Sequence, residues 1–511
     1  MLFNSYAFLL GFLPATLLGF FLIGRVSKVA GALWLAGASV FFYGWWDTRY
    51  IPLLAASICG NYWAGAYIAR RPATEAGRRA LLLAIVANLG LLAYYKYADF
   101  FISSGNALFA LQTPLLHVVL PIGISFFTFT QIAFIADAYA GKVRETRFIH
   151  YVLFVTYFPH LIAGPVLHHR EMMPQFDEDS NYRPSAGNLA VGITIFAFGL
   201  AKKVLVADSL AVHVSPGFSA DAASPALFSA WAIALAYTFQ LYFDFSGYSD
   251  MAIGLSRMFG VRLPVNFNSP YKAENIADFW RRWHMTLSRF LRDYLYIPLG
   301  GNRQGPARRR LNLMLTMLLG GLWHGAGWNF VIWGGLHGTF LVVQQFWSGV
   351  TARQRVKPPT AAAKVFSTAL TFLAVVFAWV YFRAPDLATA NRIVAGMLGV
   401  WGAALPEPVM QAFGPIRSIF ESLGVTTAAG GGAAFVEVWS WIACAAVIAF
   451  AGPNTQELLA RYRPVLESVT SRAPAALEWR PSRRFALLTG VVLAAGLLSL
   501  SRPTEFLYFQ F

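Results

Sequence analysis

The sequence predicts an all-α, polytopic membrane protein. Hydrophobic residues make up 57% of the 511 residues and charged residues only 13%, whereas a soluble domain carries roughly 25% charged residues. Aromatic residues reach 16%, which suits a chain that meets lipid headgroups. Because so few polar groups cannot cover a globular surface, lipid must solvate much of the chain. Membrane lipid is therefore the first predicted partner.

Apolar stretches of about 20 residues, long enough to cross the hydrocarbon core as a helix, recur along the chain. They predict 10 to 13 spans within a single membrane domain, 1–511, with no internal repeat and no soluble catalytic module. The spans fall near 7–24, 29–46, 50–69, 80–95, 117–136, 148–167, 187–207, 225–243, 311–348 (one long or two broken), 363–383, 434–451 and 484–500. Segment 403–433, rich in Ala, Gly and Pro, is predicted to be an extramembrane loop.

The basic residues indicate how the chain is oriented. Lys and Arg number 40 against 24 Asp and Glu, and they cluster between spans, as at Arg70-Arg71, Arg78-Arg79 and Arg308–Arg310. Basic loops stay cytoplasmic, which predicts an N-terminus outside the cell and these clusters inside. The same placement favours contact with anionic lipid and argues against nucleic acid as a partner.

One segment differs from the spans. Residues 274–296 place apolar side chains on one face of a helix and charged ones opposite, which predicts a single amphipathic helix at the membrane interface. His284 lies at the margin of the apolar stripe, so it can point into a buried seam. A solvated surface histidine is the alternative interpretation.

His324 is the strongest candidate for chemistry. It lies in GGLWHGAGWNF, an apolar stretch whose glycines allow close approach of backbone or substrate. Ionisable groups at membrane depth are costly and are usually functional, and an imidazole can take a proton from a hydroxyl near neutral pH. A structural hydrogen bond to another helix is the alternative for His324. It is the preferred interpretation for His337, although a relay role stays open there.

Other polar residues favour structural roles. Asp244 and Asp250 lie in an aromatic, apolar segment and need partners, which Arg or His from another helix could supply. The residues expected at span ends, in contact with headgroups or loops, are Asp137, His160, His168, His169, Lys202 and Lys203. The sequence has no G-x-S-x-G, P-loop or H-E-x-x-H motif, and no metal site is predicted.

Five segments resemble the membrane-bound O-acyltransferase family, most of all its alginate O-acetyltransferase type. They are LPIGISFFTF (120–129), FPHLIAGPVL (158–167), QLYFDFSGYSDMAIG (240–254), FWRRWHMTLSRFLRDYLYIPLGGNR (279–303) and MLLGGLWHGAGWNFVIWGGLHG (317–338). The ending FLYFQF also resembles a family C-terminus. The likeness runs from the first residues to about 350 and is weaker beyond.

The resemblance implies about eleven transmembrane helices around a central funnel, with re-entrant and interfacial segments. It implies that His324 of the W-H-G motif is catalytic and that His284 of the R-W-H motif is its partner. The implied reaction moves an acetyl group from cytoplasmic acetyl-CoA toward an acceptor on the far side of a bacterial inner membrane. His324 would act as general base or carry the acyl group transiently, and His284 would orient it or hold the thioester.

The resemblance also implies periplasmic partner proteins that pass the acetyl group to an exopolysaccharide such as alginate or cellulose. Two alternatives stay open. One is D-alanyl transfer to teichoic acid, within the same family. The other is a polysaccharide transporter or flippase without chemistry, which would leave His324 in its Gly-rich apolar setting unexplained.

Overall fold

The computed structural model describes residues 1–144, 146–352, 359–502, 504–505 and 507, and they are mostly helical. The long helices are Ala7–Gly24, Lys28–Gly44, Ile51–Ala69, Glu75–Phe109, Ile124–Tyr139, Ala186–Val214, Leu227–Met258, Gly305–His324, Trp328–Ala352, Ala361–Arg383, Leu387–Met397, Gly432–Ala451 and Arg483–Leu498. The shorter α-helices are Phe148–Thr156, Phe158–Leu161, His169–Met172, Ile276–Trp280, Met285–Leu291, Glu407–Ala412, Arg417–Ser422 and Thr455–Leu458. Single 3₁₀ turns are Thr48–Tyr50, Met173–Asp177, Asp179–Tyr182, Pro270–Lys272, Gly414–Ile416 and Ala460–Tyr462.

The helices confirm an all-α polytopic membrane protein. Among the described residues, five helices are long and apolar enough to cross a membrane: Ala7–Gly24, Glu75–Phe109, Ala186–Val214, Ala361–Arg383 and Gly432–Ala451. Leu82, Leu83 and Val86 on the second of these are 51%, 72% and 66% exposed. Apolar side chains exposed in a row along a helix are the face that lipid covers.

Two predicted spans are interrupted. The predicted span 148–167 contains the helices Phe148–Thr156 and Phe158–Leu161, broken at Tyr157, and is not helical beyond Leu161. The predicted span 117–136 becomes helical only at Ile124, after Gly123 with a φ of 70°. Non-helical backbone at membrane depth requires protein around it; residues 121–123 and Tyr157 are buried, whereas residues 117–120 are not.

Leu227–Met258, here called the central helix, is the most buried long element. Its 32 residues rise about 48 Å, and from Ala236 to Met258 nearly every side chain is buried. It extends the predicted span 225–243 to include both aspartates of QLYFDFSGYSDMAIG. Its main neighbour is Ala186–Val214, here called the lysine helix because it carries Lys202 and Lys203.

Glycines set the spacing between the central helix and the lysine helix. A Cβ added at Gly192 would lie 2.6 Å from the carbonyl oxygen of Gly254, and one added at Gly199 would lie 2.7 Å from that of Gly247. The same holds in reverse for Gly247 and Gly254. Small residues at such contacts let membrane helices approach closely, so the two backbones touch at points one heptad apart.

The predicted stretch 311–348 is two helices, Gly305–His324 and Trp328–Ala352, joined by a short turn. These two helices form a hairpin and pack as closely as the central helix and the lysine helix do. A Cβ added at Gly321 would lie 2.3 Å from the carbonyl oxygen of Phe330, and one at Gly334 would lie 2.3 Å from that of Met317. The glycines near His324 thus serve helix packing as well as access.

Segment 403–433 is not a plain loop. It contains two short parallel strands, Ala403–Pro406 and Val425–Ala428, with the helices Glu407–Ala412 and Arg417–Ser422 between them. Parallel pairing needs a crossover connection, and these helices provide it. Of the ending FLYFQF, Leu507 is described and the other residues lie outside the described part of the chain.

Candidate active site

His324 ends the helix Gly305–His324, where the last carbonyl groups have no partner within the helix. Lys96 supplies one. Its Nζ donates to the carbonyl oxygen of Trp323 at 2.6 Å and to that of His324 at 3.0 Å. A cation is also favoured at the negative end of the helix dipole. Lys96 therefore fixes the backbone that carries His324.

Replacing Lys96 by methionine should lower any turnover that depends on His324 roughly ten- to hundredfold. Hydrogen bonds to a charged group contribute about 1.5–3 kcal/mol, and about 1.4 kcal/mol corresponds to a factor of ten in rate. Tyr97→Phe is the matched control, because the Tyr97 hydroxyl donates to the carbonyl of Leu322 at 2.9 Å and not to that of His324. Turnover by equal amounts of each membrane-inserted variant is the measurement. Full activity of Lys96→Met would contradict this role.

The His324 ring lies among aromatic side chains. Its centroid is 4.9 Å from Trp323, 5.1 Å from Trp333 and 5.2 Å from Phe382, each approached edge-on. Such rings restrict the imidazole to one orientation without occupying it in a strong hydrogen bond. His324 is partly exposed in spite of this packing, because it faces a cavity.

The cavity is narrow: about 30 Å³ is open to water-sized groups, enough for no more than a few of them. Its walls are mainly apolar, with two polar groups that can face a ligand, His324 and Asp244. The lining residues are Ala163, Leu241, Asp244, Phe245, Tyr248, Trp283, His324, Trp379, Phe382 and Leu507. A substrate held here would be shielded from bulk water.

The prediction of one amphipathic helix over 274–296 is wrong at His284. The structure divides this segment into Ile276–Trp280 and Met285–Leu291. His284 lies at the break with a φ of 41°, in the left-handed region, which costs a non-glycine residue about 1–3 kcal/mol and often marks a functional site. The predicted burial of its side chain is confirmed, since His284 is 1% exposed.

Asn266 binds the His284 ring. The Asn266 Oδ1 accepts hydrogen bonds from His284 Nδ1 at 3.0 Å, from the Thr286 hydroxyl at 2.9 Å and from the Thr286 backbone N–H. The Asn266 Nδ2 donates to the Ser249 hydroxyl at 3.2 Å. The second ring nitrogen of His284, Nε2, is buried and has no hydrogen-bond partner among the described residues.

The structure brings the two predicted histidines together. The ring centroids of His284 and His324 are 6.4 Å apart. At this distance no nitrogens of the two rings come within the roughly 2.7–3.2 Å of a hydrogen bond. The two rings are therefore neighbours without a direct bond, and of the two only His324 lines the cavity. Phe245, which lines the cavity, packs edge-on against His284 with centroids 4.8 Å apart.

His337 lies near this pair with one ring nitrogen occupied, while its buried Nε2 has no hydrogen-bond partner among the described residues. Its Nδ1 accepts a hydrogen bond from the Trp280 Nε1 at 3.3 Å, and its ring packs against Trp333 at 4.9 Å and Phe279 at 6.0 Å. The structural interpretation preferred for His337 agrees with these contacts. They fasten the helix Ile276–Trp280 to the second arm of the hairpin.

The expectation that Lys202 and Lys203 are span-end anchors is wrong. Lys203 is 3% exposed, and its Nζ lies 2.6 Å from Asp208 and 2.8 Å from Asp244. The Lys202 Nζ lies 2.6 Å from Asp250, which also accepts hydrogen bonds from Thr455 and Gln456. The partners of the two central-helix aspartates are therefore lysines of a neighbouring helix, where arginine or histidine was expected.

The expectation of span-end contacts with headgroups or loops is also wrong for Asp137, His168 and His169. They are 5%, 4% and 2% exposed. His169 Nε2 lies 3.2 Å from Asp137, and the Tyr294 hydroxyl donates to the same carboxylate at 2.9 Å. His160 is likewise buried, at 3% exposed. Asp137, His168 and His169 are satisfied by one another and by the Tyr294 hydroxyl, whereas the buried Nε2 of His160 has no hydrogen-bond partner among the described residues.

Two clefts open beside His284. Their volumes are about 370 and 300 Å³, and they share Val265, Met285 and Glu467 as lining residues. Arginines are prominent in their walls: Arg281, Arg289 and Arg292 in the first, and Arg282 and Arg472 in the second. Met285, the residue after His284, thus lies at two clefts lined with arginines.

Lys96 and Asn266 are the site residues that the sequence analysis missed. Lys96 leaves a weak signal, a lone lysine among tyrosines at the end of an apolar stretch in AYYKYADF. Asn266 lies in VNFNSPY, a segment without helical periodicity, and nothing in its neighbourhood distinguishes it. The partners of both residues are distant in sequence or separated by a turn, so spacing does not reveal them.

The fold and the site together define a class: a helical membrane protein with two histidines from separate segments beside an internal cavity. The sequence profile of the membrane-bound O-acyltransferase (MBOAT) family matches residues 111–383. This range includes both histidines. The chain belongs to the membrane-bound O-acyltransferase family and is an acyltransferase.

Individual relatives agree with this assignment. A peptidoglycan O-acetyltransferase of Helicobacter pylori is 44% identical over 79% of this chain and 81% of its own. A probable alginate O-acetylase of Pseudomonas aeruginosa is 45% identical over 78% of this chain and 76% of its own. A teichoic acid D-alanyltransferase of Bacillus subtilis is 27% identical over 51% of this chain and 68% of its own.

Proposed function

We propose that this chain moves acetyl groups from acetyl-CoA in the cytoplasm toward a cell-envelope or exported polysaccharide, within a bacterial inner membrane. The observation that carries the proposal is the pair His284 and His324, with ring centroids 6.4 Å apart beside a shielded cavity. An acyl transfer needs a group that accepts a proton from the attacking hydroxyl. An imidazole at this depth is suited to that step.

In the proposed reaction, His324 takes the proton of an acceptor hydroxyl while the hydroxyl oxygen attacks the acetyl carbonyl of the thioester. The new C–O bond forms, the C–S bond breaks, and the imidazolium returns its proton to the leaving thiolate. The products are an O-acetyl ester and the free thiol of CoA, so atoms and charge balance. The apolar cavity walls keep water from competing as the nucleophile.

The basic clefts support entry of the donor from the cytoplasm. The phosphates of CoA are anionic, and arginine is the residue best suited to bind phosphate. Arg289 forms a bidentate pair with Glu171, at 2.7 and 2.8 Å. Residue Asp177, a few positions after Glu171, contacts Lys28 at 3.9 Å. Arg25 and Lys28 lie between the first two apolar spans, and basic connections of this kind stay cytoplasmic.

Acetyl is favoured over D-alanyl as the group transferred. The relatives named for acetyl transfer are 44–45% identical over almost four fifths of the chain, whereas the D-alanyl relative is 27% identical over about half. The two acetyl relatives are named for different acceptors, peptidoglycan and alginate. We therefore propose a polysaccharide acceptor reached through periplasmic partner proteins, without assigning the polymer.

The test uses inside-out membrane vesicles from cells with and without the chain. Acetyl-CoA with a labelled acetyl group is added outside, which is the cytoplasmic face. We expect chain-dependent release of CoA thiol, with the label recovered in the vesicle lumen or on the polymer. Absence of chain-dependent thiol release from acetyl-CoA would contradict the proposal.

A D-alanyl thioester, added in parallel, distinguishes the alternative within the family. Thiol release from that donor and not from acetyl-CoA would identify a D-alanyl transferase. Export of the polymer is measured in the same cells, because a transporter would lose export when the chain is removed without altering thiol release.

A further inference from the structure

We propose that Asn266 is a positioning residue that holds His284 as the Nδ1–H tautomer, so that its Nε2 is left as a hydrogen-bond acceptor for the bound substrate. This inference rests on the proposed acetyl transfer. It assigns a role to Asn266 and excludes one of the two roles given above for His284, holding the thioester.

The first step identifies which atom of Asn266 meets His284. The backbone N–H of Thr286 points at this atom at 3.4 Å, and an N–H can only donate. The atom is therefore the amide oxygen Oδ1. The opposite end of the amide, Nδ2, lies 3.2 Å from the Ser249 hydroxyl, which can accept. Both ends of Asn266 are thus satisfied in one orientation of the amide.

The second step fixes the proton on His284. Because Oδ1 has no proton to give, the Nδ1 of a neutral His284 must donate the 3.0 Å hydrogen bond. A neutral imidazole carries one proton, so Nε2 is left with a lone pair. This nitrogen is buried and has no partner among the described residues, and an unsatisfied buried acceptor is costly unless a ligand completes it.

The third step excludes one role. A lone pair on Nε2 repels the carbonyl oxygen of a thioester and attracts a hydrogen-bond donor. His284 in this tautomer therefore does not hold the thioester carbonyl, which needs another donor. The single proton of the acceptor hydroxyl goes to His324, so Nε2 accepts a hydrogen bond from another donor of the bound substrate, close to His324 because the two ring centroids are 6.4 Å apart.

The charged and titratable groups near His284 come from several elements. His324 lies across the gap, Asp244 of the central helix lines the cavity, and Lys96 binds the carbonyl oxygen of His324. On the His284 segment itself, Arg282 is paired with Asp278 and Arg289 with Glu171. None of these is removed by the substitutions below.

The decisive variant is Asn266→Asp, assayed as the full chain in vesicles with acetyl-CoA across a range of pH. The new carboxylate still accepts the Nδ1–H hydrogen bond, but its charge favours the imidazolium by about one to three pH units. Since Nε2 must be unprotonated to act, we expect the acidic limb of the pH–rate profile to move to higher pH by at least about one unit. Ser249→Ala is the matched control, because it removes the partner of Asn266 Nδ2 while Oδ1 keeps its contacts with His284 and Thr286, so it should leave the profile in place.

Folding is followed by the thermal transition of each variant in detergent. If Asn266→Asp does not fold, Asn266→Ala carries the test through kcat and KM. Loss of the tautomer should lower kcat at least about tenfold, with KM for acetyl-CoA unchanged. A folded Asn266→Asp with an unmoved profile, or Asn266→Ala with wild-type kcat, overturns the inference. Failure of the wild-type chain to release CoA thiol would instead refute the proposed function, so the two failures are distinguishable.

Discussion

Replacing His324 by alanine should abolish the acetyl transfer proposed above while the protein remains in the membrane at its normal level. General acid–base catalysis contributes about 10²–10⁴ in rate, so acetylation should fall at least about a hundredfold. Alanine removes the only imidazole that lines the described cavity. The acetyl content of the exported polymer, with the membrane level of the protein followed by immunoblot, is the measurement.

The matched control for His324→Ala is His213→Ala. His213 also lies in a membrane helix, but its ring faces Glu437 at 3.7 Å, away from the cavity. We expect wild-type acetyl content from the control. Undiminished acetylation by His324→Ala would make this histidine structural and refute the mechanism proposed above.

The second large effect is on stability. Replacing Lys203 by methionine should lower the free energy of unfolding by about 3–5 kcal/mol, because removing one member of a buried ion pair leaves uncompensated charge. Asp208 and Asp244, each about 6% exposed, would both lose their cation. Thermal unfolding in detergent and the steady-state level in membranes are the measurements.

Lys202→Met is the matched control for Lys203→Met. Its partner Asp250 keeps hydrogen bonds from Thr455 and Gln456, and Lys202 itself is 18% exposed. We expect a clearly smaller loss of stability from the control. Adding Asp244→Asn to Lys203→Met should recover part of the loss, since one buried carboxylate is then neutral. Equal losses of stability from the two lysine variants would show that the ion pairs of Lys203 with Asp208 and Asp244 contribute no more than that of Lys202 with Asp250.

Hydropathy predicted the helical spans because their apolar length is a local property. The breaks at Tyr157 and at residues 325–327 fall within predicted stretches, where hydropathy does not distinguish a continuous helix from two shorter ones. The predicted amphipathic helix over residues 274–296 shows the same limit. Its apolar stripe is buried as predicted, but the periodicity of apolar residues does not reveal the left-handed backbone at His284.

His324 and His284 could be predicted as site residues from the sequence because their settings are unusual. His324 is an imidazole among glycines and apolar residues, and His284 lies at the edge of an amphipathic stripe. Their partners could not be chosen in this way. Lys96 meets the backbone of a residue 228 positions later, and Lys203 meets Asp244 across a helix interface. Such pairs depend on which helices pack together, and hydrophobic periodicity carries no information about that choice.

The contact between Lys96 and His324 has a consequence for biosynthesis. A chain made at about 5–20 residues per second needs roughly 10 to 50 seconds to add the 228 residues that separate them. During that interval the helix that carries Lys96 is already in the bilayer, while Trp323 and His324, whose carbonyl groups bind it, have not been translated. The nascent protein must therefore accommodate the Lys96 ammonium group at the lipid headgroups or within the insertion machinery until the helix Gly305–His324 has been made.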